Sequence, residues 1–221
     1  MIKLFLLKIY YKLFPKLSLR EEILEQSMRL VSMNGVESGD YLEFGVNNGK
    51  SFMAAYKMAQ KFGLTDMKFY AFDSFEGLPE ISGLDREVMQ FQRGEYSTTR
   101  EQFLQNLAEA RVDLSKVKTI SGWYDQVLNI ETKKSLALKQ ASVIWIDCDL
   151  YESTVPVLNF ISDYVVDGTV LIFDDWFCFR GSPKLGEQKA FLEWLERNHD
   201  ITATEYYKHG FFGNSFILHR G

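Results

Sequence analysis

Residues 141–147 read ASVIWID. Apart from Ser142 the run is apolar until it ends in an acid, and it shows no alternation of polar and apolar positions. Such a run predicts a strand covered on both faces, as in a parallel sheet. Residues 169–174, TVLIFD, repeat the pattern and also end in an acid. Working outward, residues 40–46 (DYLEFGV), 68–73 (KFYAFD) and 117–120 read as further strands. Between them lie helix-like runs at 51–62, 99–111 (with Phe103, Leu107 and Ala110 on one face) and 152–161, where Pro156 is expected near the first turn. A charged amphipathic helix is expected at 183–198, and an N-terminal helix at 19–33 with Ser18 as its cap and Gly35 as its stop. The tail offers strand-like runs at 201–207 and 215–219 with no helix signal between them, so these two pair antiparallel. Strand alternating with helix predicts a doubly wound α/β sheet. Ligands of such sheets bind beyond the carboxyl ends of the strands. Here those ends are acidic: Glu43, Asp73, Asp147, Asp174 and Asp175.

The chain has 221 residues, enough for one sizeable core. We divide it into a basic, amphipathic helical segment, 1–35, and a catalytic domain, 36–221. A hydrophobic content of 46% and aromatic content of 15% exclude a disordered or fibrous chain, and a net charge of −5 argues against a nucleic-acid partner. Cys148 and Cys178 lie in apolar runs without a CxxC or Cys/His cluster, which speaks against structural zinc and for buried thiols in a reducing, cytoplasmic setting. Residues 1–20 carry Lys3, Lys8, Lys12, Lys16 and Arg20 and no acid. Their apolar stretches are too short and interrupted to span a bilayer, and no small-residue cleavage site follows. Two readings stand for this segment: a helix packing on the domain or on a second subunit of a homo-oligomer, and a peripheral contact with an anionic membrane surface.

Glu43-Phe-Gly45-Val-Asn-Asn-Gly49-Lys50-Ser51 lies where the first strand turns into a helix. Glycines there admit a ligand close to the backbone. A phosphate loop needs GxxxxGK[ST], and the gap from Gly45 to Gly49 is one residue short. Glu43 would also oppose bound phosphates, whereas the cationic sulfonium and amino group of S-adenosylmethionine would gain from an acid. Asp73 ends the second strand and is placed for ribose hydroxyls, or else caps the turn that follows. Asp147, with Asp149 close by, and the pair Asp174-Asp175 end two buried strands. Clustered carboxylates repel one another and lose solvation, so they call for a cation, and oxygen ligands suit Mg²⁺ or another hard divalent ion. Helix caps and an Asp–Arg pair, with Arg180 nearby, are the alternative. Trp123, in Gly122-Trp123, either stacks on an adenine or joins the core. His199 at a helix end is explained by the helix dipole. His209 is expected in the loop between the last two strands, and among the histidines it is the candidate base.

EFGVNNGKS, FDSFEGLPE, the Gly-Trp pair, IDCDLYEST and FDDW, in this order, resemble the macrocin O-methyltransferase family over roughly residues 40–176. The resemblance implies a seven-stranded, mostly parallel Rossmann-like sheet with one antiparallel strand, S-adenosylmethionine as cofactor, a bound divalent ion, and methylation of a hydroxyl on a small sugar-like or natural-product acceptor. It implies Asp147, Asp174 and Asp175 as metal ligands. Glu43, Gly45, Gly49, Ser51, Asp73 and Ser74, with Trp123, would form the cofactor site. The family's lid after the GLP turn often contributes a histidine, and residues 81–96 contain none. Metal activation aided by Asp147 or His209 is expected instead. The competing readings are a degenerate P-loop nucleotide-binding protein and a non-catalytic, membrane-associated binding module.

Overall fold

Every residue of the strand Ala141–Ile146 is buried, as an apolar run without alternation requires when helices cover both faces. The computed structural model describes residues 18–36, 38–87 and 91–221. In chain order the elements are α1 (Leu19–Met33), β1 (Asp40–Phe44), α2 (Lys50–Lys61), β2 (Phe69–Asp73), α3 (Arg100–Glu109), β3 (Val117–Ser121), α4 (Tyr124–Val127), α5 (Ile130–Ser135), β4 (Ala141–Ile146), α6 (Tyr151–Ile161), β5 (Thr169–Phe173), α7 (Gly186–Arg197), β6 (Ile201–His209) and β7 (Gly213–Arg220). They form one seven-stranded sheet of order β3-β2-β1-β4-β5-β7-β6. Neighbours from β3 to β5 pair parallel, and β7 runs antiparallel to both β5 and β6.

The period of two along each strand sends alternate side chains into two cores. Tyr41, Phe69, Val143, Trp145, Val170 and Ile172 meet Ile23, Leu24 and Met28 of α1, Phe52 and Met58 of α2, and Phe103 of α3. Leu42, Phe44, Phe72, Ile144, Ile146 and Phe173 meet Val157, Leu158 and Phe160 of α6 and Phe191 and Trp194 of α7. Phe44 and Phe72 stack with ring centroids 4.5 Å apart, and Phe160 packs edge-on against both. Each such ring stabilises the fold by about 1.5–3 kcal/mol through burial. Residues 19–33, part of the segment set apart in the sequence reading, thus contribute a layer of the same core. The membrane and subunit readings of residues 1–17 lie outside the described residues.

Boundaries move by one to three residues from expectation because the strands stop where the backbone turns toward the site. Val46 belongs to the turn after β1, and α7 begins at Gly186. Pro156 is the sixth residue of α6, in the second turn rather than the first. His209 ends β6 instead of lying in a loop, because the ladder with β7 continues to the His209–Gly213 pair. Ser18 caps α1 through a full capping box with Glu21, and Asn34 takes the C-cap just before Gly35.

Two features lock the start of α2 to the sheet. Gly45 adopts φ +86°, and a Cβ there would fall 1.8 Å from the Asp147 carbonyl oxygen, so the turn after β1 lies directly against the end of β4. Glu43, wholly buried, accepts hydrogen bonds from Ser51 Oγ at 2.6 Å and from Tyr41 Oη at 2.5 Å. Burial pushes its carboxyl up to about 8, against the pull of these two hydroxyls and of Arg20.

Gly45→Ala is expected to cost more than about 2 kcal/mol in denaturant unfolding, since it combines a left-handed φ with a backbone clash. Gly63→Ala, at φ +76° with open space around its Cβ, bears only the backbone strain, about 1 kcal/mol. For Glu43 the native state favours the neutral acid. Its contribution is therefore complete below the unfolded value near 4.5 and is lost as pH rises through about 8. Denaturant melts from pH 5 to 9 should show a shallower loss of stability for Glu43→Gln than for the parent, and equal slopes would refute the assignment.

Candidate active site

The ladder continues one residue past several strand ends and so fixes the residues that follow. Asp147 N–H donates to the Phe44 carbonyl at 2.8 Å, Asp174 N–H to Ile146 at 3.0 Å, and Gly45 N–H to Phe72 at 2.9 Å. These residues border a cavity of about 570 Å³ at the carboxyl edge of the sheet. Gly45, Ser51, Asp73, Ser74, Trp123 and Asp147 line it, together with Asp174 and Asp175. Glu43 and Gly49, expected among the cofactor residues, do not. Glu43 is sealed beneath Ser51 and Tyr41. Gly49 is the left-handed N-cap of α2, and a Cβ on it would press within 3.1 Å of the Phe103 ring, so its role is packing against α3.

Asp73 shapes the glycine turn itself. Its Oδ2 accepts from the amides of Val46 at 2.7 Å and Asn47 at 3.1 Å, and its Oδ1 from Phe75 at 2.7 Å. A carboxylate has about four lone-pair directions, so capacity remains for hydroxyl donors in the cavity. Ser74 closes the next turn, accepting from the Glu76 amide and donating to the Gly77 carbonyl, both at 3.1 Å. Trp123 is half-buried against the cavity and belongs to neither core.

At the far wall of the cavity lies a group of acids. Asp147, Asp174 and Asp175 each offer an oxygen within 4.8 Å of the others. Asp149, buried in a left-handed conformation (φ +63°), approaches Asp175. Glu187 of α7 is buried behind them and accepts the Asp175 amide at 3.2 Å. Burial raises Asp147, Asp149 and Glu187 well above the usual carboxylate range, and the neighbouring acids add to it. Asp175 is pushed up to about 6 by burial and by Asp174. Burial acts on Asp174 in the same sense, but His209 and Arg20 outweigh it and hold this carboxyl below its ordinary value.

The positive charge comes from the first turn of α1. Arg20 Nη2 bonds Asp174 Oδ2 and lies 3.3 Å from Asp147 Oδ2. The Asp–Arg alternative is therefore realised through Arg20, not through the Arg180 that sequence proximity suggested. His209 Nε2 is 3.7 Å from Asp174 Oδ1, a charge contact rather than a hydrogen bond. His209 borders a second cavity, of about 1080 Å³, lined also by Leu19, Met53, Phe211 and Phe212. The two cavities share Arg20, Lys50, Ser51, Asp174 and Asp175.

The acid group fits a hard divalent cation on two counts. Its donors are all oxygen, and Asp175 is packed against two further acids, Asp149 and Asp174. Arg20, Tyr41, Asp149 and Glu187 carry parts of the site that sequence reasoning did not assign. Asp149 stood in the quoted motif. Nothing in the charged pattern of residues 183–198 marked Glu187 as buried.

A family model described as macrocin-O-methyltransferase (TylF) matches residues 18–202. An 8-demethyl-8-(2,3-dimethoxy-alpha-L-rhamnosyl)-tetracenomycin-C 4'-O-methyltransferase of Streptomyces olivaceus is 30% identical over 162 residues, covering 71% of this chain and 60% of that protein. Demethyldecarbamoylnovobiocin O-methyltransferase of Streptomyces niveus is 26% identical, with the same shares. The chain thus spans about 60% of the length of these curated relatives. Among solved structures, the O-methyltransferase NovP superposes with a TM-score of 0.77 at 22% identity, over 91% of this chain and 80% of that one. The calicheamicin methyltransferase CalS11 gives 0.72 at 19% identity, over 89% and 77%. The structural likeness shows a shared Rossmann-like fold. The family match runs from the cap of α1 to the start of β6, and the chain belongs to the macrocin-O-methyltransferase family.

Proposed function

We propose that this chain transfers the methyl group of S-adenosylmethionine to a hydroxyl of a small sugar-like or natural-product acceptor, with a divalent cation at Asp147, Asp174 and Asp175. The observation that carries the reading is the junction. A cavity built on a glycine turn and a strand-end aspartate opens directly onto a group of carboxylates. The relatives named above are methyltransferases by description, one of them acting on a rhamnosyl-bearing tetracenomycin by name.

In this reading Asp73 offers its remaining lone pairs to the ribose hydroxyls, and Trp123 lies along the adenine. The Gly45 turn lets the backbone approach the methionine moiety. Bound at the three aspartates, a divalent ion would lower the pKa of the acceptor hydroxyl and stabilise the developing alkoxide. The chain's own residues supply alignment of oxygen, methyl and sulfur, which accounts for much of the barrier. Asp147, which borders the cavity, is the group we assign to take the hydroxyl proton. His209 is assigned a positioning role, holding Asp174 ionised from behind. The reading places the enzyme in the cytoplasm. Among the described residues no helix is long and apolar enough to cross a membrane.

Calorimetric titration with S-adenosylmethionine, with and without Mg²⁺ and beside ATP, tests the class. Binding in the range of about 1–100 μM with none for ATP is expected; the reverse result sinks the proposal. Asp147→Asn should lower kcat by about 10²-fold or more while cofactor affinity stays within about threefold. A kcat equal to the parent's would remove Asp147 from the chemistry.

A further inference from the structure

Arg20 occupies the place where the acids converge. Its Nη2 takes Asp174 Oδ2 and reaches Asp147 Oδ2 at 3.3 Å, so it uses two of the three residues able to share a cation. A guanidinium and a metal ion held by the same two carboxylates would lie within a few ångström of each other and repel, so each disfavours the other. The ion pairs made by this group among the described residues are those to Arg20 and the contact to His209. Arg20 pairs with Asp147 and Asp174, whereas no ion pair among the described residues reaches Asp175, which packs against Asp149 and Asp174. A divalent ion carries twice the charge in a smaller volume, and nothing in its coordination requires a planar fork.

The side chain is also free to leave. Arg20 is the second residue of α1 and its side chain is 45% exposed, whereas Asp147 and Asp174 are 19% and 15% exposed. Its backbone is held independently, by the Ser18–Glu21 capping box and by the packing of Ile23 and Leu24 in the core. A rotation about the side-chain bonds moves the guanidinium without unwinding the helix. The space it would enter is the junction of the two cavities, both of which it already lines.

We propose that Arg20 and a divalent cation are alternative occupants of the Asp147–Asp174 pair, so that cation binding expels the Arg20 side chain into the junction between the cavities. The proposal rests on the reading of the three aspartates as a cation site. Arg20 is then a resident counter-ion. It keeps the acids together in the metal-free protein and sets a threshold concentration for metal loading. Released, it places a cation where the cofactor cavity meets the second cavity.

The test uses Mn²⁺ alone as probe, with free ion counted by electron paramagnetic resonance in titrations of the full chain. Arg20→Gln should bind Mn²⁺ at least about tenfold more tightly than the parent, because the competitor is gone. In EDTA the same variant should melt several degrees lower, since its acids lose their counter-ion, and saturating Mn²⁺ should erase the difference. Equal or weaker Mn²⁺ binding by Arg20→Gln, with binding by the parent intact, overturns the exchange and leaves the cation site standing. Failure of both proteins to bind Mn²⁺ overturns the exchange and the cation reading together. A measurement on the parent protein alone guards against a misfolded variant. With ¹⁵N-labelled arginine, Mg²⁺ should shift the Arg20 side-chain resonance and speed its exchange with water. An unmoved resonance at saturating Mg²⁺ counts against expulsion.

Discussion

Asp147, Asp149, Asp174, Asp175 and Glu187 bring five carboxyl groups together at the edge of a sheet whose strands are otherwise apolar. Their mutual repulsion and lost hydration set the terms for everything around them. Protons answer part of the demand, as the raised Asp149 and Glu187 show. Arg20 and His209 answer another part, both directed at Asp174. The three helices on one face are arranged accordingly. The cap of α1 delivers Arg20, α2 starts above Glu43, and α3 packs Phe103 against the glycine at the α2 cap. A fold that kept the sheet but lost α1 would leave the acid group facing solvent or an unpartnered charge.

Strands β4 and β5 were legible because they are buried on both faces and so read as unbroken apolar runs. Each ends in an acid at the point where the backbone turns. The turn after β1 was legible because Gly45 and Gly49, both at left-handed φ, stand in the sequence as glycines. What the letters do not show is the partner of each group. Glu43 and Asp73 look alike in the chain, each an acid at or near a strand end. One faces α2 and disappears under Ser51, and the other faces the loop and borders the cavity. The distinction depends on the register of a neighbouring helix, which periodicity alone leaves open. Arg20 was read as part of a basic surface segment because its partners lie 127 and 154 positions away. Glu187 was read as part of a polar helix face because α7 happens to turn that position toward the acids.

The two cavities differ in the chemistry of their walls. The first is lined by polar turns and by Trp123, which suits a nucleoside-bearing ligand. The second carries Leu19, Met53, Phe211 and Phe212 along its walls and reaches the acids only at its floor. A ligand in the second cavity meets mostly apolar surface before any oxygen of its own comes near Asp174. Apolar contact of this kind binds without regard to hydroxyl position, and it leaves regiochemistry to the few polar atoms at the junction.

The antiparallel strand has a bearing on how the molecule is made. β7, the last strand in the chain, lies between β5 and β6 rather than outside them. Until residues 213–220 emerge from the ribosome, β5 presents an unpaired edge and β6 has nothing to pair with. His209, the last residue of β6, is therefore fixed only once β7 has joined the sheet. The glycine turn after β1 rests on strands that come earlier in the chain, whereas His209 reaches Asp174 from β6. Removing residues 213–220 would take out the strand that joins β6 to the rest of the sheet.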